Sequence, residues 1–179
     1  YEESLKIAYE CGYPKMIHIA LRQLSLFTRK TEDFVLAEKY LLEELSFLSE
    51  KTLNPDYART LSDLGDITAV LGKITESREH YQQALDIYAS LDSQVEAGFC
   101  CVQLSLIELW DGNTDAAWTV LMQAVNISNQ HKDEDLREMV CKRLREFLKT
   151  EVYQEKAGEI LAQEEYSGIH EKGDPTDRS

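Results

Sequence analysis

The chain has 179 residues, a formal net charge of −14 at pH 7, a pI near 4.7 and 43% hydrophobic residues. Because nucleic acid and anionic membranes are bound by basic surfaces, this acidic balance argues against both as direct partners. The apolar runs are short and flanked by charges. The sequence therefore predicts no membrane-spanning helix, which needs about 18 consecutive apolar residues.

The cysteines give a further constraint on the class of protein. They are spaced irregularly along the chain, at Cys11, Cys100, Cys101 and Cys141. This spacing is typical neither of a disulfide framework nor of a zinc site, and the sequence shows no secretory leader. We therefore expect reduced, packed cysteines in an intracellular, cytoplasmic protein that holds no metal or cofactor.

Apolar residues recur at intervals of three and four and strand-like alternation is absent, so the sequence predicts helices alone. Asn54–Pro55 is typical of a helix start, and Gly72 and Gly112 are typical of helix ends. The predicted helices cover residues 1–11, 14–29, 32–50, 55–71, 75–91, 94–110, 114–130, 134–149 and 151–166. The polar residues 168–179 are predicted to form a disordered tail.

A step of forty residues relates these helices to one another. The clearest example is a set of four leucines at equivalent positions of successive units: Leu24, Leu64, Leu104 and Leu144. A fixed period of this length is typical of a solenoid that stacks one repeated two-helix unit. The period predicts the second helix of a truncated preceding repeat at 1–12 and four repeats at 13–51, 52–91, 92–131 and 132–167. The chain is thus expected to start in mid-repeat.

The residues within the central units resemble the tetratricopeptide repeat, in a long variant. One unit carries Leu61, Leu64, Gly65, Gly72, Tyr81, Ala84 and Leu85; the next carries Leu104, Gly112, Ala117, Leu121 and Ala124. The outer units depart from the pattern, because Glu44 and Glu164 stand where the family has a packing alanine. The resemblance implies an all-α, right-handed superhelical solenoid of antiparallel helix pairs. It also implies that the first helices line a concave groove for peptides or partner helices.

The predicted helix 94–110 is apolar nearly all round, and such a helix is normally covered on every side. If first helices line a groove, as the resemblance implies, the groove-facing residues are Phe99, Val102, Leu106, Leu109 and Trp110. We expect a hydrophobic patch that binds a protein or peptide partner through the two aromatic side chains. The alternative is that a tight superhelix or a neighbouring segment buries these residues.

Basic residues on other first helices are a second candidate for partner binding. They are Arg22, Arg29, Lys30, Lys142 and Lys149. In an acidic chain, such groups can receive an acidic or carboxylate-terminated ligand. The alternative is that they pair with the acidic excess or remain in solvent.

Candidate catalytic residues are sparse. The four histidines lie far apart in the sequence, at His18, His80, His131 and His170, without a nucleophile at useful spacing. The prediction is a non-catalytic protein–protein interaction scaffold or adaptor. Two alternatives stay open: a sensor domain that controls a catalytic or DNA-binding portion elsewhere, and a structural array that is a subunit of a larger assembly.

Overall fold

The computed structural model describes residues 2–48 and 54–163. Every regular element in these two ranges is an α-helix, which confirms the all-α class. In chain order the helices are α1 (Glu2–Cys11), α2 (Pro14–Lys30), α3 (Phe34–Phe47), α4 (Pro55–Val70), α5 (Ile74–Ser90), α6 (Gln94–Trp110), α7 (Thr114–His131), α8 (Glu134–Phe147) and α9 (Gln154–Ala162). The predicted tail at 168–179 lies outside the described residues.

Local capping explains where the helices begin and end. Pro55 opens α4, and the side chain of Asn54 accepts a hydrogen bond from the backbone N–H of Asp56 at 2.9 Å. Gly72 and Gly112 follow α4 and α6 with φ of 77° and 81°, in the left-handed region that favours glycine. These helix starts and ends are therefore confirmed as predicted.

The start of α3 differs from the prediction. The sequence predicted a helix from residue 32, whereas α3 begins at Phe34. The side chain of Asp33 caps this helix by accepting a hydrogen bond from the backbone N–H of Leu36 at 3.2 Å. Glu32 has φ of 61° and therefore belongs to the turn.

The chain divides into two compact units, Tyr1–Cys100 and Cys101–Ser179, and α6 runs through the boundary. In the first unit α2 packs on α3 and α4 on α5, while α1 packs on α2 and α3 on α4. Two core clusters result, one of Ala8, Ile17, Leu21, Leu24 and Tyr40, the other of Ala37, Leu41, Leu64 and Ile67. Leu24 of the first cluster and Leu64 of the second are thus forty residues apart.

In the second unit α7 packs on α8 and α8 on α9. Three aromatic rings fix this arrangement. Trp118 stacks on Tyr153 with ring centroids 4.6 Å apart, and Phe147 meets Trp118 edge-on at 5.2 Å. The Tyr153 hydroxyl group also donates a hydrogen bond to Asp115 at 2.6 Å, which ties the start of α7 to the residue before α9.

Among the helices at 2–48 and 54–163, none combines the length and hydropathy of a membrane span.

Candidate functional site

The five apolar residues of α6 that were predicted to bind a partner differ in how far the structure exposes them. Trp110, the last residue of the helix, is 57% exposed, whereas Phe99, Leu106 and Leu109 are half-buried. Val102 is 1% exposed and is therefore a packing residue that offers no surface to a partner. Phe99 belongs to the first unit and the other four residues to the second. Exposed apolar surface on α6 is thus concentrated at its carboxyl-terminal end.

The two predicted arginines lie in an ion-pair network in the first unit. Arg29 contacts Asp66 at 2.7 Å and Asp63 at 3.2 Å, both on α4. Arg22 contacts Asp63 at 3.5 Å and Glu44 of α3 at 3.4 Å. The side chains of this network are partly or fully buried, so these guanidinium groups are already neutralised. The interpretation that the basic residues pair with the acidic excess therefore describes Arg22 and Arg29.

Glu44 is the buried member of this network. Its side chain is fully buried, and its Oε1 lies 3.0 Å from Nδ1 of His18 on α2. Burial raises the pKa of Glu44 to about 7, although the charge of Arg22 acts in the opposite direction. Burial also lowers the pKa of His18. Arg22 and His18 thus contact the buried carboxyl group that stands here in place of the family's alanine.

The predicted lysines are exposed and lie in different parts of the chain. Lys30 is the last residue of α2 in the first unit. Lys142 lies on α8 in the second unit, and Lys149 lies just beyond the end of that helix. Between them, Arg143 is buried and its Nη1 contacts Glu146 at 2.5 Å, so it stabilises the fold and is not part of a surface.

Sequence reasoning missed an exposed apolar face on α2. Its members are exposed side chains separated in turn by three, seven and one residues: Met16, Ile19, Leu26 and Phe27. The signal was present in the sequence, since α2 carries apolar residues on two sides and only one can face the core. This face is the largest set of exposed apolar side chains on any one helix of the described residues.

The described residues show little of the chemistry that an active site needs. Burial raises the pKa of the Cys100 thiol to about 11, so this cysteine is a weak nucleophile at neutral pH. Burial lowers the pKa of His80, and His80 and His18 lie on different helices. Over residues 2–48 and 54–163, no three His, Cys, Asp or Glu side chains form a group that could hold a metal ion.

The consecutive helix pairs α2 with α3 and α4 with α5 pack in the manner of a helical-repeat protein. Residues 16–90 match the family model of the tetratricopeptide repeat, a stretch that runs from α2 through α5. The predicted resemblance to the tetratricopeptide repeat is therefore confirmed over these residues. Proteins of this repeat type generally mediate protein–protein interactions and are typically non-catalytic.

The fold also resembles that of a solved structure. The crystal structure of BtubC (BKLC) from P. vanneervenii superposes with a TM-score of 0.73 at 18% sequence identity. The match covers 99% of this chain and 72% of that chain. At this identity the similarity shows a common fold. No curated protein sequence matches the chain.

Proposed function

We propose that this chain is a non-catalytic scaffold that binds a peptide or helix of a protein partner. The repeat type supports this function, because tetratricopeptide repeats generally mediate protein–protein interactions. The net charge of −14 favours a protein partner over nucleic acid or an anionic membrane. The four cysteines are free, which fits a cytoplasmic location; Cys100, Cys101 and Cys141 are buried as predicted, whereas Cys11 is exposed and is not a packing residue.

The observation that carries the proposal is the exposure of Trp110. Its indole ring is 57% exposed at the end of α6, next to half-buried Leu109 and one turn beyond half-buried Leu106. Tryptophan is enriched among residues that dominate binding energy, because it buries a large area with little loss of conformational freedom. We assign the partner's anchoring contact to Trp110, with the two leucines as its apolar surroundings.

Exposed lysines support an acidic partner segment. Lys142 and Lys149 lie in the same unit as Trp110 and are exposed. Charges at the rim of an interface mainly raise the association rate and its dependence on salt, and add little to affinity. In this proposal they steer the partner, and Trp110 holds it.

Site-specific photo-crosslinking in the source cells tests this function. Trp110 is replaced by a photoreactive phenylalanine analogue, whose large aromatic side chain keeps an apolar anchoring contact at this position. A second variant carries the same analogue at Val152, which is 71% exposed in the same unit. We expect a defined protein adduct from position 110 and a much weaker one from position 152. Equal labelling from both positions, or none from position 110, would contradict the proposal.

A further inference from the structure

Arg22 of α2 is shared between carboxyl groups of two other helices. Its Nη1 lies 3.4 Å from Oε1 of Glu44 on α3, and its Nη2 lies 3.5 Å from Oδ2 of Asp63 on α4. Optimal contacts between a guanidinium group and a carboxylate are about 2.7–2.9 Å long. Arg29 reaches this range, at 2.7 Å from Asp66. Arg22 is therefore placed between two partners, and a small movement shortens one contact while it lengthens the other.

The two contacts of Arg22 differ in which helices they join. The helices α2 and α3 pack as one pair, and α4 begins the next pair with α5. The contact of Arg22 with Glu44 lies within the first pair, whereas its contact with Asp63 joins that pair to the next. Arg29 also contacts Asp63, at 3.2 Å. The position of Arg22 thus decides how many charged contacts hold α2 to α4.

The charges around Glu44 balance when its carboxyl group is neutral. Glu44 is 0% exposed, and α2 and α4 pack on α3. The ionisable groups of this cluster on α2 and α4 are His18, Arg22, Arg29, Asp56, Arg59, Asp63 and Asp66. With His18 neutral, the three arginines balance the three aspartates. Ionisation of Glu44 adds a buried negative charge, which is costly unless a cation moves to it.

His18 provides a second partner for the carboxyl group of Glu44. Its Nδ1 lies 3.0 Å from Oε1 of Glu44, and this buried nitrogen makes no other hydrogen bond with the described residues. Burial lowers the pKa of His18, although Asp56 acts in the opposite direction. Burial raises the pKa of Glu44 to about 7, against the charges of Arg22 and Arg59 and the hydroxyl group of Thr60. Glu44 therefore changes its charge near neutral pH beside a neutral imidazole.

We propose that Arg22 is a proton-controlled link between the helix pair α2–α3 and α4. When Glu44 is protonated, its carboxyl group donates a hydrogen bond to Nδ1 of His18, and Arg22 binds Asp63. When Glu44 releases this proton to solvent, Arg22 moves to the new carboxylate. The imidazole then changes tautomer and donates from Nδ1, and Asp63 is left with Arg29. The link is thus closed below about pH 7 and open above it.

This device lies in the first unit and does not involve Trp110. It controls how tightly successive helix pairs are joined, which is separate from the anchoring of a partner on α6. Its failure would leave the proposed function intact, and loss of partner binding at Trp110 would leave the device intact.

A double-mutant cycle on the whole chain at two pH values tests the link. The variants are Arg22→Met, Asp63→Asn and their combination, each unfolded with urea at pH 6 and at pH 8.5. We expect a coupling of about fivefold in the unfolding equilibrium constant at pH 6 and of less than about twofold at pH 8.5. Equal coupling at both pH values would overturn the proposal, because Arg22 would then keep the same partner whatever the charge of Glu44.

Two control cycles show which group commands the change. In a Glu44→Gln background, position 44 is neutral throughout, so the coupling of Arg22 with Asp63 should stay about fivefold at both pH values. In the parent chain, the coupling of Arg29 with Asp66 should also be independent of pH in this range. A coupling that still falls in the Glu44→Gln background would overturn the proposal, because another group would then control Arg22.

Nuclear magnetic resonance of the parent chain tests the device without a substitution at Arg22. The carboxyl carbon of Glu44 and the guanidinium nitrogens of Arg22 should shift with a common midpoint near pH 7. In Glu44→Gln the Arg22 nitrogens should stay unchanged over the same range. A Glu44 carboxyl group that titrates below pH 6, or Arg22 nitrogens that do not shift in the parent, would overturn the proposal.

Discussion

Arg29 on α2 and Asp66 on α4 form a charge-assisted contact in which Nη2 lies 2.7 Å from Oδ2. The same carboxylate accepts a hydrogen bond from the hydroxyl group of Tyr81 on α5. Asp66 therefore joins three helices that are separate in sequence. Burial and this carboxylate together raise the pKa of Tyr81, so the tyrosine stays protonated and remains a donor at physiological pH.

This contact predicts a measurable coupling between the two helices. A double-mutant cycle with Arg29→Ala and Asp66→Asn should give a coupling free energy of about 1 kcal/mol, because partial burial reduces solvent screening. The control pair is Arg59 and Asp56, which lie three residues apart on α4 and are more exposed. Its coupling should be about 0.3 kcal/mol. Equal coupling in the two cycles, measured by urea unfolding, would show that the network does not join the helices.

Close packing at Gly65 gives a second prediction. A Cβ atom at this position would lie 2.8 Å from ring atoms of Tyr81, which is itself buried and held by Asp66. Gly65→Ala should therefore lower the free energy of unfolding by about 1–3 kcal/mol. The matched control is Gly158→Ala within α9, where the nearest atom would be a methyl group of Leu148 at 3.8 Å.

In the control, alanine should stabilise the helix by about 0.5–1 kcal/mol, since it restricts the unfolded chain and has the higher helix propensity. Thermal unfolding of the two variants therefore should shift in opposite directions. A Gly65→Ala protein as stable as the parent would show that α4 and α5 are not closely packed here.

The buried Glu44 predicts a dependence of stability on pH. Its pKa is raised from 4.5 to about 7, so the folded state keeps a proton that the unfolded state loses near pH 4.5. Its contribution to stability is thus complete below pH 4.5 and is lost as pH rises to about 7. His18 acts in the opposite direction, because its folded pKa is lowered. Comparing Glu44→Gln with the parent isolates the glutamate.

Relative to the parent, Glu44→Gln should gain up to about 3 kcal/mol between pH 4.5 and pH 8, as the parent loses its protonated carboxyl group. Chemical unfolding at a series of pH values measures this difference. Glu10→Gln, at an exposed position of α1, serves as the control for the substitution itself, and its free energy of unfolding should stay within about 0.5 kcal/mol of the parent's. A constant difference for Glu44→Gln would mean that the carboxyl group titrates alike in the folded and unfolded states.

Much of the fold could be predicted because its signals are local. The helix bounds could be predicted from capping residues such as Asn54 and Gly72. The burial of Leu24 and Leu64 could be predicted because apolar residues recur at these positions forty residues apart. The start of α3 was wrong because a threonine, glutamate and aspartate follow one another there, and spacing does not say which one caps. Only the conformation of Glu32 and the hydrogen bond to Asp33 resolve that choice.

The candidate site could be predicted less well, because periodicity does not tell a packed apolar residue from an exposed one. Val102 and Trp110 share an apolar helix, yet the structure buries the first and exposes the second. From the sequence, Glu44 is only a departure from the repeat pattern. Its contacts with His18 and Arg22 join different helices, so local spacing does not predict them.

Equilibrium binding of the partner crosslinked at position 110 tests the central claim most directly. Trp110→Ala should weaken this affinity by about thirtyfold or more, as expected for loss of an anchoring tryptophan. Val152→Ala should leave the affinity unchanged, and both proteins should keep the parent's helical content. An unchanged affinity in Trp110→Ala would contradict the account, because the partner would then be held elsewhere on the chain.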